Sequence, residues 1–228
     1  MEKKKMSIKK KVLIFVLFFV LAVIIILFVH TLKNFLIIRE LRDKISRYSD
    51  STNYHVKSIN THEDGLISTI NYYQKGEKQL ITIERGGTAE FAKISIYNNG
   101  ERIDMFTETD DEKTANLDSG NGGIFGAPLS NGLEKDLIGE NQLLICFLAK
   151  MRNVTVNDKD CYKFSHFLSG SFMYNENDEY YYEKETGLLI MNIFGADKIE
   201  KEYEFDNVDD SIFIEPNIGE YSIIKNSD

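Results

Sequence analysis

Ala92-Lys93-Ile94-Ser95-Ile96-Tyr97, then Asn98-Asn99-Gly100, then Arg102-Ile103-Asp104-Met105-Phe106: this stretch reads as a β-hairpin, and it decides the fold class. Alternation puts Ile94 and Ile96 on one face of the first strand, and Ile103 and Met105 on one face of the second. The Asn-Gly step between them suits a backbone with φ > 0, as a tight connection requires. Upstream, residues 53–59 and 66–74 predict a strand pair across Thr61-His62-Glu63-Asp64-Gly65, and 80–85 predicts a third strand ending at Gly86-Gly87.

Downstream, Val154-Thr155-Val156 and Cys161-Tyr162-Lys163-Phe164 flank the turn Asn157-Asp158-Lys159-Asp160. Strands are then expected over 172–174, 179–184, 188–194 and 198–205, with turns at 175–178, at Thr186-Gly187 and at Gly195-Ala196-Asp197. Tyr203 and Phe205 alternate with Glu202, Glu204 and Asp206, the pattern of a half-buried strand. The fold class is therefore mainly β with some α (α+β): a curved antiparallel sheet covering helices. Ile37, Ile38, Leu41 and Ile45 fall at helical spacing, so 35–45 is expected as an amphipathic helix, either a continuation of what precedes it or, as its apolar stripe needs a partner, a helix packed on the sheet. Residues 133–151 are apolar enough for a buried helix, or a pair of helices broken at Gly139. Residues 107–131 lack periodicity and read as one long loop, a candidate mobile cover. Within it Gly-Asn-Gly-Gly-Ile-Phe-Gly, 120–126, has no preceding strand, no following helix and no Gly-Lys-Ser/Thr, so it is not a phosphate loop.

The N-terminus is a different kind of sequence. Residues 12–29, VLIFVLFFVLAVIIILFV, hold no charge, Gly or Pro. Eighteen helical residues at 1.5 Å each cover about 27 Å, close to the hydrocarbon thickness of a bilayer. A cleaved signal peptide would have a shorter apolar run and a small-residue cleavage site, and His30-Thr31-Leu32-Lys33 offers none. Residues 12–29 are therefore expected to anchor the chain in the cytoplasmic membrane as an uncleaved single-pass helix. Six Lys stand before the run against Lys33 and Arg39 soon after it, which predicts a cytoplasmic basic tail (1–11) and an extracytoplasmic domain (30–228). The overall charge of −9 becomes −14 once that +5 tail is set apart, and so acidic a domain argues against nucleic-acid binding.

Catalytic chemistry is sparse. His30, His55, His62 and His166 are scattered, with no pair at metal-ligand spacing. Asp110-Asp111-Glu112 and Asp209-Asp210 fall in predicted turns, where solvated charge is the ordinary state, and no Ser sits in a nucleophile elbow. The expectation is a protein that is not an enzyme and carries no metal or cofactor. Cys146 and Cys161, both outside the cytoplasm on this topology, are a candidate disulfide pair or two buried thiols.

The order of elements in the last third resembles the LolA-like superfamily, which includes lipoprotein carriers and RseB-like regulators. The residues that carry the likeness are Val156-Asn157-Asp158-Lys159-Asp160-Cys161-Tyr162-Lys163-Phe164, Tyr180-Tyr181-Tyr182-Glu183-Lys184-Glu185-Thr186-Gly187-Leu188-Leu189, Tyr203-Glu204-Phe205-Asp206-Asn207-Val208 and Phe213-Ile214-Glu215-Pro216-Asn217-Ile218-Gly219-Glu220-Tyr221. They cover about 153–221, with weaker agreement over 35–151. The resemblance implies a half-barrel whose concave face is closed by helices over an apolar cavity, here tethered as in a Gram-positive member rather than free to shuttle. The helix must face the sheet, so the expected lining is Leu144, Phe147, Leu148, Phe164, Phe167 and Phe172. Two functions follow: a tethered domain holding lipid or lipoprotein acyl chains in that cavity, or an RseB-like sensor module that binds an envelope protein and takes no lipid.

Overall fold

The computed structural model describes residues 8–48, 50–86, 92–117, 146–147, 149–165 and 178–224. It opens with helix α1, Ile8–Ile45, which runs 38 residues without a break. At 1.5 Å per residue that is about 57 Å, nearly twice a bilayer core. Its first part is rich in Val and Ile, poor helix formers in water, but in hydrocarbon a helix satisfies every backbone group within the segment. Arg42 and Lys44 in the last turn complement the helix dipole. A 3-10 turn, Ser46–Tyr48, then leads to the sheet.

Among the described residues, twelve strands form one curved open sheet. The first six are β1 (Asn53–Thr61), β2 (Ile67–Lys75), β3 (Lys78–Gly86), β4 (Ala92–Asn98), β5 (Ile103–Thr109) and β6 (Lys113–Asn116). The next six are β7 (Lys150–Val156), β8 (Lys159–Ser165), β9 (Glu179–Glu183), β10 (Leu189–Phe194), β11 (Asp197–Phe205) and β12 (Ser222–Ile223). The order across the sheet is β12-β6-β5-β4-β3-β2-β1-β11-β10-β9-β8-β7. Two meanders thus join where β11 pairs antiparallel with β1, from Tyr54 opposite Phe205 to Thr61 opposite Lys198. Each neighbouring pair is antiparallel except β12 with β6, which is parallel.

The anticipated hairpin is in place, with Ile96 opposite Met105 and Asn98 opposite Ile103. Its turn is held by side-chain amides: Asn98 Oδ1 accepts from Gly100 N–H at 2.9 Å, and Asn99 Oδ1 accepts from Glu101 and Arg102 N–H at 3.0 Å each. The β7–β8 connection is tighter than expected, two residues long, with Asn157 and Asp158 at φ of 49° and 61°. Asn and Asp tolerate that left-handed backbone better than other non-glycine residues.

Three expectations need correction. The amphipathic segment 35–45 is both things at once: it packs on the sheet and is the uninterrupted continuation of the apolar helix. Residues 107–131 are not all loop, because β5 continues to Thr109 and β6 follows the Asp110-Asp111-Glu112 turn. Lys-Thr-Ala-Asn gives no apolar alternation, and only its pairing with β5 reveals it as a strand. Lys150 and Met151, placed in a helix by their neighbours' apolarity, open strand β7. Of the expected helix at 133–151, residues 133–145 lie outside the described residues, as does the strand expected at 172–174, while Cys146 and Phe147 are helical.

One face of the sheet carries most of the apolar surface. At the β7–β10 end it is covered by α1, whose Ile38, Leu41 and Ile45 pack with Phe164, Tyr180, Tyr182 and Leu189. Full burial of each such aliphatic side chain is worth roughly 1.5–3 kcal/mol, as an upper bound. The opposite face holds a smaller core in which Phe106 meets Tyr97 and Tyr221 edge-on, at 5.6 and 5.1 Å. Tyr221 reaches it on a C-terminal strap that runs back along the strand ends. Asp210 of the strap pairs with Lys75 (2.9 Å) and Lys78 (3.3 Å), and Glu215 with Arg102 (2.8 Å). Tyr221 donates to Glu108, and β12 then covers the β6 edge. Hydrogen bonds from Lys75 and Lys78 hold the Asp210 carboxyl below the usual carboxylate range.

Gly187, in the β9–β10 turn, is where the sheet touches the end of the helix. It sits at φ +80°, and a Cβ there would lie 2.7 Å from the Leu41 carbonyl oxygen and 2.9 Å from Lys44 Cβ. Lys44 Nζ donates to the Lys184 carbonyl beside it. Gly187→Ala is therefore expected to destabilise the sheet by about 2–4 kcal/mol, the sum of left-handed strain and a backbone clash. Thermal unfolding of the detergent-solubilised protein checks this, and an unchanged melting temperature would contradict the close approach.

Candidate functional site: the apolar face and its junction with the helix

Strand register builds the site from side chains that alternate to one face. Val56, Tyr72, Ile81, Ile96 and Met105 stand directly opposite one another across β1 to β5. One two-residue step along the strands, Ile70, Ile83 and Ile94 form a second row. At the usual strand spacing the first row is about 19 Å across. Tyr72 and Ile96 are buried, while Val56, Ile70, Ile83, Ile94 and Met105 are only partly so.

A row of amides borders this field: Gln74, Gln79 and Asn98 lie opposite one another on β2, β3 and β4. Tyr54 and Tyr72 hydroxyls both donate to Gln74 Oε1, at 3.0 and 2.7 Å, and Asn98 Nδ2 donates to Gln79 Oε1 at 3.2 Å. Burial pushes both phenols up in pKa, so they remain neutral donors. The reverse face of the same strands is charged and paired: Lys57 with Glu202 at 3.2 Å, Lys93 with Glu84 at 3.5 Å. His55 lies flat on Tyr73 there, centroids 4.2 Å apart. Away from the Phe106 core the sheet is thus two-sided, one face polar and one apolar.

At the junction, Asn34 of α1 is almost fully buried and its Nδ2 donates to the carbonyls of Cys146 and Ala149, both at 2.8 Å. Nδ2 also lies 3.2 Å from His30 Nε2, so its two hydrogens serve three neighbours, the two carbonyls at the shorter distance. The bonds to the carbonyls tie the chain entering β7 to a fixed level of the helix.

Of the residues expected to line a cavity, Phe164 has no exposed surface and meets Tyr182 edge-on at 5.8 Å within the helix-covered core. Phe147 is 44% exposed, next to the Cys146 carbonyl that Asn34 holds. Leu144, Leu148, Phe167 and Phe172 lie outside the described residues. Two of the six are thus described, and the apolar field that the described residues show comes from β1 to β5. The alternation around Ile94, Ile96, Ile103 and Met105 carried the signal, but sequence gives no register to align those strands with Tyr72 and Ile81.

Cys146 and Cys161 are both buried free thiols. Cys146 belongs to the helix-covered core with Phe164 and Tyr162, whereas Cys161, at odd parity on β8, points to the other face. Burial pushes both thiols up in pKa, which keeps them protonated and unreactive. Among the described residues no three His, Cys, Asp or Glu side chains gather in a metal-binding group.

No protein-family model matches the chain, and no curated protein matches it. Among solved structures, a domain described as an outer membrane lipoprotein-sorting protein, from Vibrio parahaemolyticus, overlaps 76% of this chain and 94% of its own length. The identity is 9% and the TM-score 0.27, a likeness too slight to carry an argument about this chain.

Replacing Asn34 with Ala would leave the Cys146 and Ala149 carbonyls buried without their donor. The expected cost is about 2–4 kcal/mol, read as a lower melting temperature together with faster amide exchange at the start of β7. Parent-like values for both would show that the clamp contributes nothing.

Proposed function

We propose that this protein is a membrane-anchored, extracytoplasmic, non-catalytic domain that holds lipid or lipoprotein acyl chains against the apolar face of β1 to β5. The observation that carries the reading is the pair of apolar rows on that face, partly exposed and bordered by amides. It adjoins the end of the sheet that α1 covers. α1 is long and apolar enough to cross a bilayer, with its apolar window wholly unburied. The Lys-rich segment before it favours a cytoplasmic N-terminus. Acyl chains need only apolar area and exclusion of water, and the amide row supplies polar partners for an ester or amide head. Ordinary cohesion of a sheet core would require that a covering element fill the same rows.

Photo-crosslinking tests this. Full-length protein in nanodiscs containing a lipid with a diazirine near the chain end is irradiated and the modified peptides are mapped. Modification of peptides bearing Tyr72, Ile81, Ile96 and Met105 is expected, falling several-fold in Ile83→Glu. Labelling confined to residues 12–29 would contradict acyl-chain binding by the sheet.

A further inference from the structure

The helix carries the sheet at a defined height above the bilayer, and that height can be read from its own surface. The uninterrupted apolar run ends at Val29. Asn34 follows five residues later, about 7.5 Å along the axis. The headgroup region on each side of the hydrocarbon is only about 5–8 Å deep. Asn34 therefore falls within or at the top of the headgroups.

The outer side of the helix agrees. Leu32 and Leu36, on the side away from the sheet, are 44% and 54% exposed. Only beyond them do the exposed Arg39 and Asp43 begin. The surface of α1 thus mixes exposed Leu32 and Leu36 with exposed Lys33 before it turns fully charged at Arg39 and beyond, which marks the band where lipid gives way to solvent.

Whatever Asn34 holds is held in that band. Its two hydrogen bonds fix Cys146 and Ala149, and Phe147 between them is 44% exposed. Phe194, at the end of β10, meets Tyr180 of the helix-covered core edge-on at 5.6 Å and is 40% exposed. Tyr180 lies opposite Phe164, which lies opposite Met151 near the start of β7, so Phe194 belongs to the same end of the strands as Phe147. Two large, exposed phenylalanines at headgroup depth, with Lys33 next to Asn34 on the helix and Lys150 shortly after Phe147 in sequence, are the components of an interfacial anchor.

We propose that the sheet does not stand off from the membrane on its helix but rests on it, with Phe147 and Phe194 inserted at the lipid–water interface. The partner is the bilayer surface itself. The contact fixes the azimuth of the sheet as well as its height, because a helix alone leaves rotation about its axis free. The opposite strand ends, crossed by the strap at Lys75, Lys78 and Arg102, then point away from the bilayer. The inference rests on α1 being membrane-spanning and is independent of whether the sheet binds acyl chains.

The chain contains no Trp, so each substitution creates a unique fluorophore. Phe147→Trp, Phe194→Trp, Ile214→Trp on the distal strap and Phe19→Trp in the apolar run are reconstituted separately into vesicles of phosphatidylcholine and phosphatidylglycerol, without bromine or with bromine on the upper acyl chain (for 147, 194 and 214) or near the chain end (for 19). Trp at 147 and at 194 is expected to emit to the blue of Trp at 214 and to be quenched at least two-fold by the brominated lipid, with Trp at 214 unaffected. Quenching at 19 with none at 147 and 194 would overturn the interfacial contact while leaving the anchor standing. Absence of quenching at 19 would remove the anchor, and the contact with it. Unfolding by either rim substitution is detected by circular dichroism; Phe147→Tyr and Phe194→Tyr, probed for protection from aqueous iodination only when vesicles are present, then decide the same question.

Discussion

One unbroken ladder of backbone hydrogen bonds runs from the apolar helix into the core of the sheet. Because α1 has no Gly or Pro and no break between the apolar run and the stripe Asn34, Ile38, Leu41 and Ile45, the two parts share an axis. A flexible linker would let the sheet tumble; a continuous helix gives it one orientation. Three contacts fix where the sheet sits along that axis: the Asn34 clamp on Cys146 and Ala149, the aliphatic stripe against Phe164, Tyr182 and Leu189, and the close approach of Gly187 to Leu41. Each fails in a different way when altered, one by orphaned carbonyls, one by a cavity, one by a clash.

The rest of the sheet is organised by a different device. β11 joins the two meanders at β1, and the strap then returns to the far edge, so the C-terminal residues tie together strands that are distant in sequence. Its ion pairs at Lys75, Lys78 and Arg102 are exposed and individually weak. The buried contacts of Tyr221 with Phe106 supply the cohesion, and the ion pairs set the path. Between the helix-covered end and the strap lies the two-row apolar field, which neither device covers.

The sequence made the β class readable because the hairpin at 92–106 and the later Tyr-rich strands alternate cleanly. It also delimited the apolar run, since hydropathy needs no tertiary context. Strand β6 was invisible because Lys-Thr-Ala-Asn is defined by its partner rather than by its own pattern. The continuity of α1 stood as one of two alternatives for a related reason: the apolar stripe at 37–45 called for a partner on the sheet, and a helix leaving a membrane can meet that need without a break. The proposed lining was built on the assumption that the residues near 144–148 face the sheet. Of that lining the described residues include only Phe164, which is buried, and Phe147, which is 44% exposed, and the apolar field of β1 to β5 depends on registers, such as Tyr72 opposite Ile81, that pairwise strand geometry sets and one sequence does not encode visibly.

Backbone amide exchange of the full chain in lipid nanodiscs, followed by mass spectrometry across residues 28–46, examines the continuity of α1 most directly. A rigid rod predicts slow exchange over the whole segment, with residues 34–45 opening together with β9 and β10 as one unit. Rapid exchange at 30–33, with protected stretches on either side, would reveal a hinge at the membrane surface and contradict the fixed orientation on which this account is built.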